Sequence, residues 1–162
     1  MTLTSNPILK IARGPSGRAM AEPMLPELVE ALYQHLTMER HASSQYFANS
    51  IWFAERELRG FSKFFKLESE SEQAHANKFS EYLIARGQSV LLEELKAPKQ
   101  NWNDIEEIFS ASFQMEADVT TSLHQLYALA ERSSDIRTTV YLDPIIEGQT
   151  NSEDEFAHLL GR

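Results

Sequence analysis

Phe64-Phe65-Lys66-Leu67-Glu68-Ser69-Glu70-Ser71-Glu72-Gln73-Ala74-His75-Ala76-Asn77-Lys78-Phe79 is the stretch that decides the fold of this chain. Phe61, Phe64, Phe65, Phe79, Tyr82 and Leu83 recur at three- and four-residue steps, the period of an amphipathic helix. The middle of that apolar stripe is occupied by Glu68, Glu72 and His75. Carboxylates buried without a partner cost several kcal/mol each, and these lie mid-helix, where no helix end neutralises them. Glu72-x-x-His75 has the i, i+3 spacing that turns a carboxylate and an imidazole toward one point, and a metal ion there satisfies both.

Working outward, Pro26 to Glu55 carries Leu28, Ala31, Leu32, His35, Ala42, Tyr46 and Phe53 at the same period, which predicts a first long helix with Pro26 in its opening turn. Leu58-Arg59-Gly60 interrupts it, and the second helix runs from Phe61 to a stop at Gly87. Residues 88–102 have no sustained period and suit a long crossover. Asn103 is the expected cap of a third helix holding Ile105, Ile108, Phe109, Phe113, Leu123, Leu126, Tyr127 and Ala130. After Arg132-Ser133-Ser134-Asp135, a fourth helix over Ile136–Leu160 is expected to kink near Pro144. With no convincing strand alternation, the fold class is all-α: two antiparallel hairpins joined by a long crossover, a four-helix bundle over residues 24–162.

Glu-x-x-His is a weak motif in so acidic a chain, and Glu155-x-x-His158 is a second copy. Levels in the bundle separate them. Glu39 lies 19 residues before Leu58, and Glu72 and His75 lie 14 and 17 after it. Around Ser133, Glu116 lies 17 before and Gln149 16 after, whereas Glu155 and His158 fall roughly 9 to 13 Å further along the axis at 1.5 Å per residue. A concealed repeat agrees: Glu39 to Glu72 and Glu116 to Gln149 each span 33 residues, the two pairs being offset by 77. Two inequivalent metals are expected, one on Glu39, Glu72 and His75, the other on Glu72, Glu116 and Gln149, with Glu72 bridging. His35, His41 and His124 read as surface or packing residues.

Composition narrows the function. Lys plus Arg number 15 against 24 Asp plus Glu, a net charge of −9 that disfavours nucleic acid and anionic lipid and suits cations. Cysteine is absent, so disulfides, thiolate metal sites and cysteine nucleophiles are excluded. No apolar run approaches the ~20 residues of a membrane span, and a cytoplasmic protein is expected. Residues 1–21 hold Lys10, Arg13 and Arg18 without an acid, a pattern shared with organellar transit segments. Pro7 and the Gly14-Pro15-Ser16-Gly17 turn favour instead an irregular arm over residues 1–23.

Four segments together resemble the ferritins, most closely the bacterial and cyanobacterial non-haem ferritins. They are Glu39-Arg40-His41-Ala42-Ser43-Ser44-Gln45-Tyr46, Glu72-Gln73-Ala74-His75-Ala76, Gln114-Met115-Glu116-Ala117-Asp118 and Glu147-Gly148-Gln149. The likeness spans about residues 24–161. It implies a ferritin-like bundle with Glu39, Glu72, His75, Glu116 and Gln149 as ferroxidase ligands and Tyr46 as the tyrosine beside them. It also implies two iron ions per subunit cycling between Fe(II) and Fe(III), no haem, and a homo-oligomeric shell of twenty-four subunits. Ser71 stands where many ferritins carry another carboxylate, and with the sequence ending at Arg162 the family's short fifth helix is expected to be absent.

The resulting expectation is an iron-storage protein that oxidises Fe(II) with dioxygen and stores the ferric product. Glu68, one turn before Glu72, and Asp143, near Pro144, are candidates for passing iron to and from the centre. The rival readings are a di-iron oxidase, oxygenase or peroxidase acting on a non-iron substrate, and a helical binding module without catalysis.

Overall fold

The structure, a computed structural model, describes residues 10–161. Ala12–Arg13 (β1) and Ala19–Met20 (β2) form a small antiparallel ladder. They are followed by four helices: Pro26–Glu55 (α1), Arg59–Ala85 (α2), Ile105–Arg132 (α3) and Ile136–Leu160 (α4). The helices are about 40 Å long at 1.5 Å per residue, which is the length of one bundle.

Both hairpin turns are built the same way. After α1, Glu57 takes the left-handed conformation (φ 60°), and its neighbour Leu58 donates its N–H back to Phe53 O. After α3, Ser134 does so (φ 57°), and Asp135 N–H returns to Ala130 O. These are the closing bonds of a Schellman stop made without glycine, and Glu57 and Ser134 are themselves 77 residues apart, the offset of the sequence repeat. The first break is shorter than the sequence suggests, for α2 begins at Arg59 with Gly60 in its opening turn. Asp104, not Asn103, caps α3: its side chain accepts from Glu107 N–H, while the Glu107 carboxylate accepts from Asn103 N–H. Helix α4 continues through Pro144 without interruption.

Residues 88–104 cross over the length of the bundle without regular structure, fastened to α1 by side chains. Gln45 accepts from Lys99 N–H and donates to Lys99 O, Arg40 donates to Glu93 O, and the Tyr33 hydroxyl donates to Ser89 O. The segment expected to be irregular before α1 therefore contains a hairpin around the Gly14–Gly17 turn. Gly14 seats that hairpin on the end of α2, so close that a Cβ there would lie 1.6 Å from the Gly87 carbonyl oxygen.

Two apolar clusters fill the bundle. Leu28, Leu32, Leu36, Phe79, Leu83, Leu123, Leu126 and Leu142 pack one end. Tyr46, Phe53, Phe65, Ile108, Phe109 and Phe156 pack the other, with Phe64 stacked edge-on to Phe156. The end of α1 and the start of α2 thus share a level with the start of α3 and the end of α4, and the two turns lie at opposite ends. Between the clusters sits a polar belt.

Candidate metal centre

Glu39, Glu72 and Glu116 are 1%, 3% and 1% exposed, a burial that carboxylates tolerate only with compensation. Ligand atoms of Glu39, Glu72 and His75 lie within 4.8 Å of one another, as do those of Glu68, Glu72 and Glu116. Glu72 is common to both groups. His75 Nδ1 is 3.2 Å from Glu72 Oε2 and 3.5 Å from Glu39 Oε2. On the far side, the Tyr46 hydroxyl donates to Glu116 Oε1 at 2.6 Å and Gln149 Nε2 donates to Glu116 Oε2 at 2.8 Å. With its nitrogen so engaged, the Gln149 amide has its oxygen left to offer. Glu39 Oε2, buried, accepts no hydrogen bond. An orphaned, buried carboxylate oxygen facing an imidazole nitrogen fits a cation of hard oxygen and imidazole preference.

The electrostatics show what an ion relieves. Burial, then the facing Glu39 carboxylate, pushes Glu72 up to about 10. Burial by itself would raise Glu39 as well, but Glu72, His35 and His75 outweigh it and hold Glu39 well below the usual range. The Glu39 and Glu72 carboxylates beside it push His75 up to about 10. Glu72 and His75 are therefore each shifted toward their protonated forms and Glu39 toward its ionised form. Burial raises Glu116 against the donors Tyr46 and Gln149. Tyr46 itself is raised well above its ordinary value by burial and by Glu116, so it remains a donor at neutral pH.

All five residues expected as ligands, together with Tyr46, fall in this belt. Asp143 does not, being exposed on α4 outside the cluster. Glu68, the other candidate for passing iron, lies in the belt itself, grouped with Glu72 and Glu116. Two residues outside the expected ligand set also border the belt. Glu155 interacts with Glu68: burial, then this neighbouring carboxylate, pushes Glu68 up to about 7. Because the turns lie at opposite ends, moving back from Glu72 to Glu68 and forward from Gln149 to Glu155 goes in the same direction along the bundle. His35, expected to be a surface or packing residue, is fully buried against Glu39. Its i, i+4 spacing from Glu39 was the signal.

Helices α2 and α4 do not close over the belt. Between them lies a cleft of about 480 Å³, with Glu39, His75 and Gln149 in its wall and Ser71, Phe79, Tyr141, Pro144 and Ile145 around them.

Fold and belt define a ferritin-like four-helix bundle with a carboxylate and histidine centre. A family profile described as a ferritin-like domain matches residues 29–162. The chain belongs to the ferritin family. It is 30% identical over 130 residues to a bacterial non-heme ferritin of Staphylococcus epidermidis, covering 80% of this chain and 78% of the relative. It is likewise 30% identical over 137 residues to a ferritin of Pacifastacus leniusculus, covering 82% and 76%. Among solved structures, an open pore ferritin from Archaeoglobus fulgidus superposes with a TM-score of 0.83 at 24% identity, covering 85% of this chain and 84% of the other, which shows the shared fold. No helix among the described residues is long and apolar enough to cross a membrane.

Proposed function

We propose that this chain is an iron-storage ferritin with ferroxidase activity, whose substrates are Fe(II) and dioxygen and whose ferric product is stored inside a hollow homo-oligomeric shell. The observation that carries this reading is the orphaned Glu39 Oε2 within a belt of four buried or half-buried glutamates on three helices. Hard oxygen donors with a single imidazole bind Fe(II) and favour Fe(III) once an electron is lost. In this reading Glu39, Glu72 and His75 hold one ion and Glu72, Glu116 and Gln149 the other, with Glu68 adding a carboxylate to the second. Two ions held side by side together supply the two electrons dioxygen first takes up, so the protein's work is chiefly positioning. Glu72 and His75 must each give up a proton as metal enters, and Glu68, poised near neutrality, is suited to exchange iron with it.

The cleft between α2 and α4 favours one other reading, oxidation of a small organic molecule beside the same centre, because Phe79, Tyr141 and Ile145 give it apolar walls. Aerobic addition of Fe(II) separates the two. A storage ferritin oxidises Fe(II) well past two per chain and sediments as a large particle before and after loading. An arrest at two per chain, relieved only by an organic substrate, supports the oxygenase, and failure to bind Fe(II) at all overturns both.

A further inference from the structure

A wholly buried histidine touches the centre without belonging to either ligand group. His35 has no exposed surface, and its ring packs 4.7 Å from that of Phe79. Nε2 lies 3.0 Å from Glu39 Oε1, and Nδ1 lies 2.7 Å from the Ser122 hydroxyl of α3. We propose that His35 is a positioning residue: its Nε2–H holds Glu39 Oε1, so that Glu39 meets a metal through Oε2 alone, and Ser122 fixes the ring in the tautomer this requires. The inference rests on the metal-centre reading and adds to it a device that sets how one ligand binds.

The two oxygens of Glu39 are unlike, and the difference lies in the protein. Oε1 has a donor, whereas Oε2 has none and faces His75 Nδ1 at 3.5 Å. An ionised carboxylate only accepts, so Nε2 carries a proton toward Glu39, while Nδ1 faces the Ser122 hydroxyl, which can donate to it. Hydrogen-bonded ligands are held in one orientation by such outer partners. A leucine fills similar space against Phe79 but leaves Oε1 free to turn, either to chelate the metal with both oxygens or to swing toward Glu72. Glu39 shares the wall of the α2–α4 cleft with His75 and Gln149, so a metal held by Oε2 alone would be bound beside that opening.

Co(II) is a suitable probe, since its visible bands report coordination number. In full-length wild-type protein, 15N NMR of His35 should show the Nε2–H tautomer, and the Nδ1–H tautomer overturns the proposal. His35→Leu should weaken one of the two Co(II) sites by roughly 10- to 100-fold and change its band intensity, leaving the other site unchanged. His35→Gln, which restores an amide donor, should recover most of the affinity and the wild-type spectrum. An unaltered spectrum and affinity in His35→Leu, or equal loss in both variants, assigns His35 to packing and overturns the proposal. Should His35→Leu not fold, Ser122→Ala decides: a change in tautomer with weaker Co(II) binding supports the proposal, and an unchanged tautomer or unchanged Co(II) binding overturns it. Wild-type protein that binds no Co(II) removes the metal-centre reading itself, a result distinct from silence of the variants.

Discussion

The Tyr46 hydroxyl donates to Glu116 Oε1 at 2.6 Å, joining α1 to α3 across the floor of the polar belt between residues 70 apart in sequence. Both partners are essentially unexposed, and Gln149 already occupies the other oxygen of Glu116. Tyr46→Phe keeps the ring that stacks on Phe65 and Phe156 and removes only this donor. Metal-free protein should lose about 1.5 to 3 kcal/mol, the worth of a buried hydrogen bond to a charged group. Urea denaturation in chelator measures it, with helix content unchanged.

Glu72→Gln should separate stability from binding. Glu72 carries a proton in the metal-free fold, so the amide reproduces its neutral form and should leave metal-free stability within about 1 kcal/mol of wild type. The same change removes the only ligand common to both groups, so Zn(II) should no longer raise the unfolding temperature and aerobic Fe(II) oxidation should stop. Rapid oxidation by Glu72→Gln would place the centre elsewhere.

Metal-free stability should decline as pH rises above the ordinary carboxylate range. Glu72 and His75, each pushed up to about 10, and Glu68, pushed up to about 7, hold protons in the fold that the unfolded chain releases near 4.5 or 6.5. Their stabilisation is complete below those unfolded values and is lost as pH climbs through 7 and then 10. Glu39, held low, works in reverse: its contribution is present above 4.5 and fades as pH falls. Urea midpoints in chelator should therefore peak at about pH 5. Saturating Zn(II) displaces the same protons, so the stabilisation it adds should grow with pH over that range.

Arg86 and Asp135 form a second buried polar unit at the other end, 2.8 Å apart and shared with Tyr82 and Thr138. It ties the end of α2 to the cap of α4. Asp135→Ala strands the guanidinium and uncaps α4 together, and should cost about 3 to 5 kcal/mol. Fe(II) oxidation per folded chain should be unchanged, because the centre lies a bundle half-length away.

Gly14→Ala cannot keep its place against the Gly87 carbonyl, so the hairpin should leave the end of α2. Amide exchange at residues 12–20 should accelerate while α1 to α4 keep their protection. Gly87→Ala, with φ at +78° and Met20 against the new Cβ, should cost a further 1 to 3 kcal/mol or so of strain.

The sequence by itself determined the bundle and the belt. Period fixed four helices, because a stripe every 3.6 residues buries well only against other helices. Equal spans of 33 residues brought Glu39, Glu72, Glu116 and Gln149 to one level, because rise per residue is constant along a straight helix. Spacing could not say which neighbour turns toward which. Whether Glu68 closes on Glu116 or reaches Glu155, whether His35 spends its nitrogen on Glu39 or merely fills space, and whether α2 and α4 part to open a cleft depend on helix rotation and separation. Those are set by how the phenylalanine cluster and the leucine cluster interlock at either end of the bundle. The N-terminal hairpin is the same case in miniature: its turn is written in Gly14 and Gly17, but its ladder of Ala12–Arg13 with Ala19–Met20 carries no strand pattern and is held where Gly14 meets Gly87. Only the tertiary structure decided it, since that contact joins residues with no periodic relation.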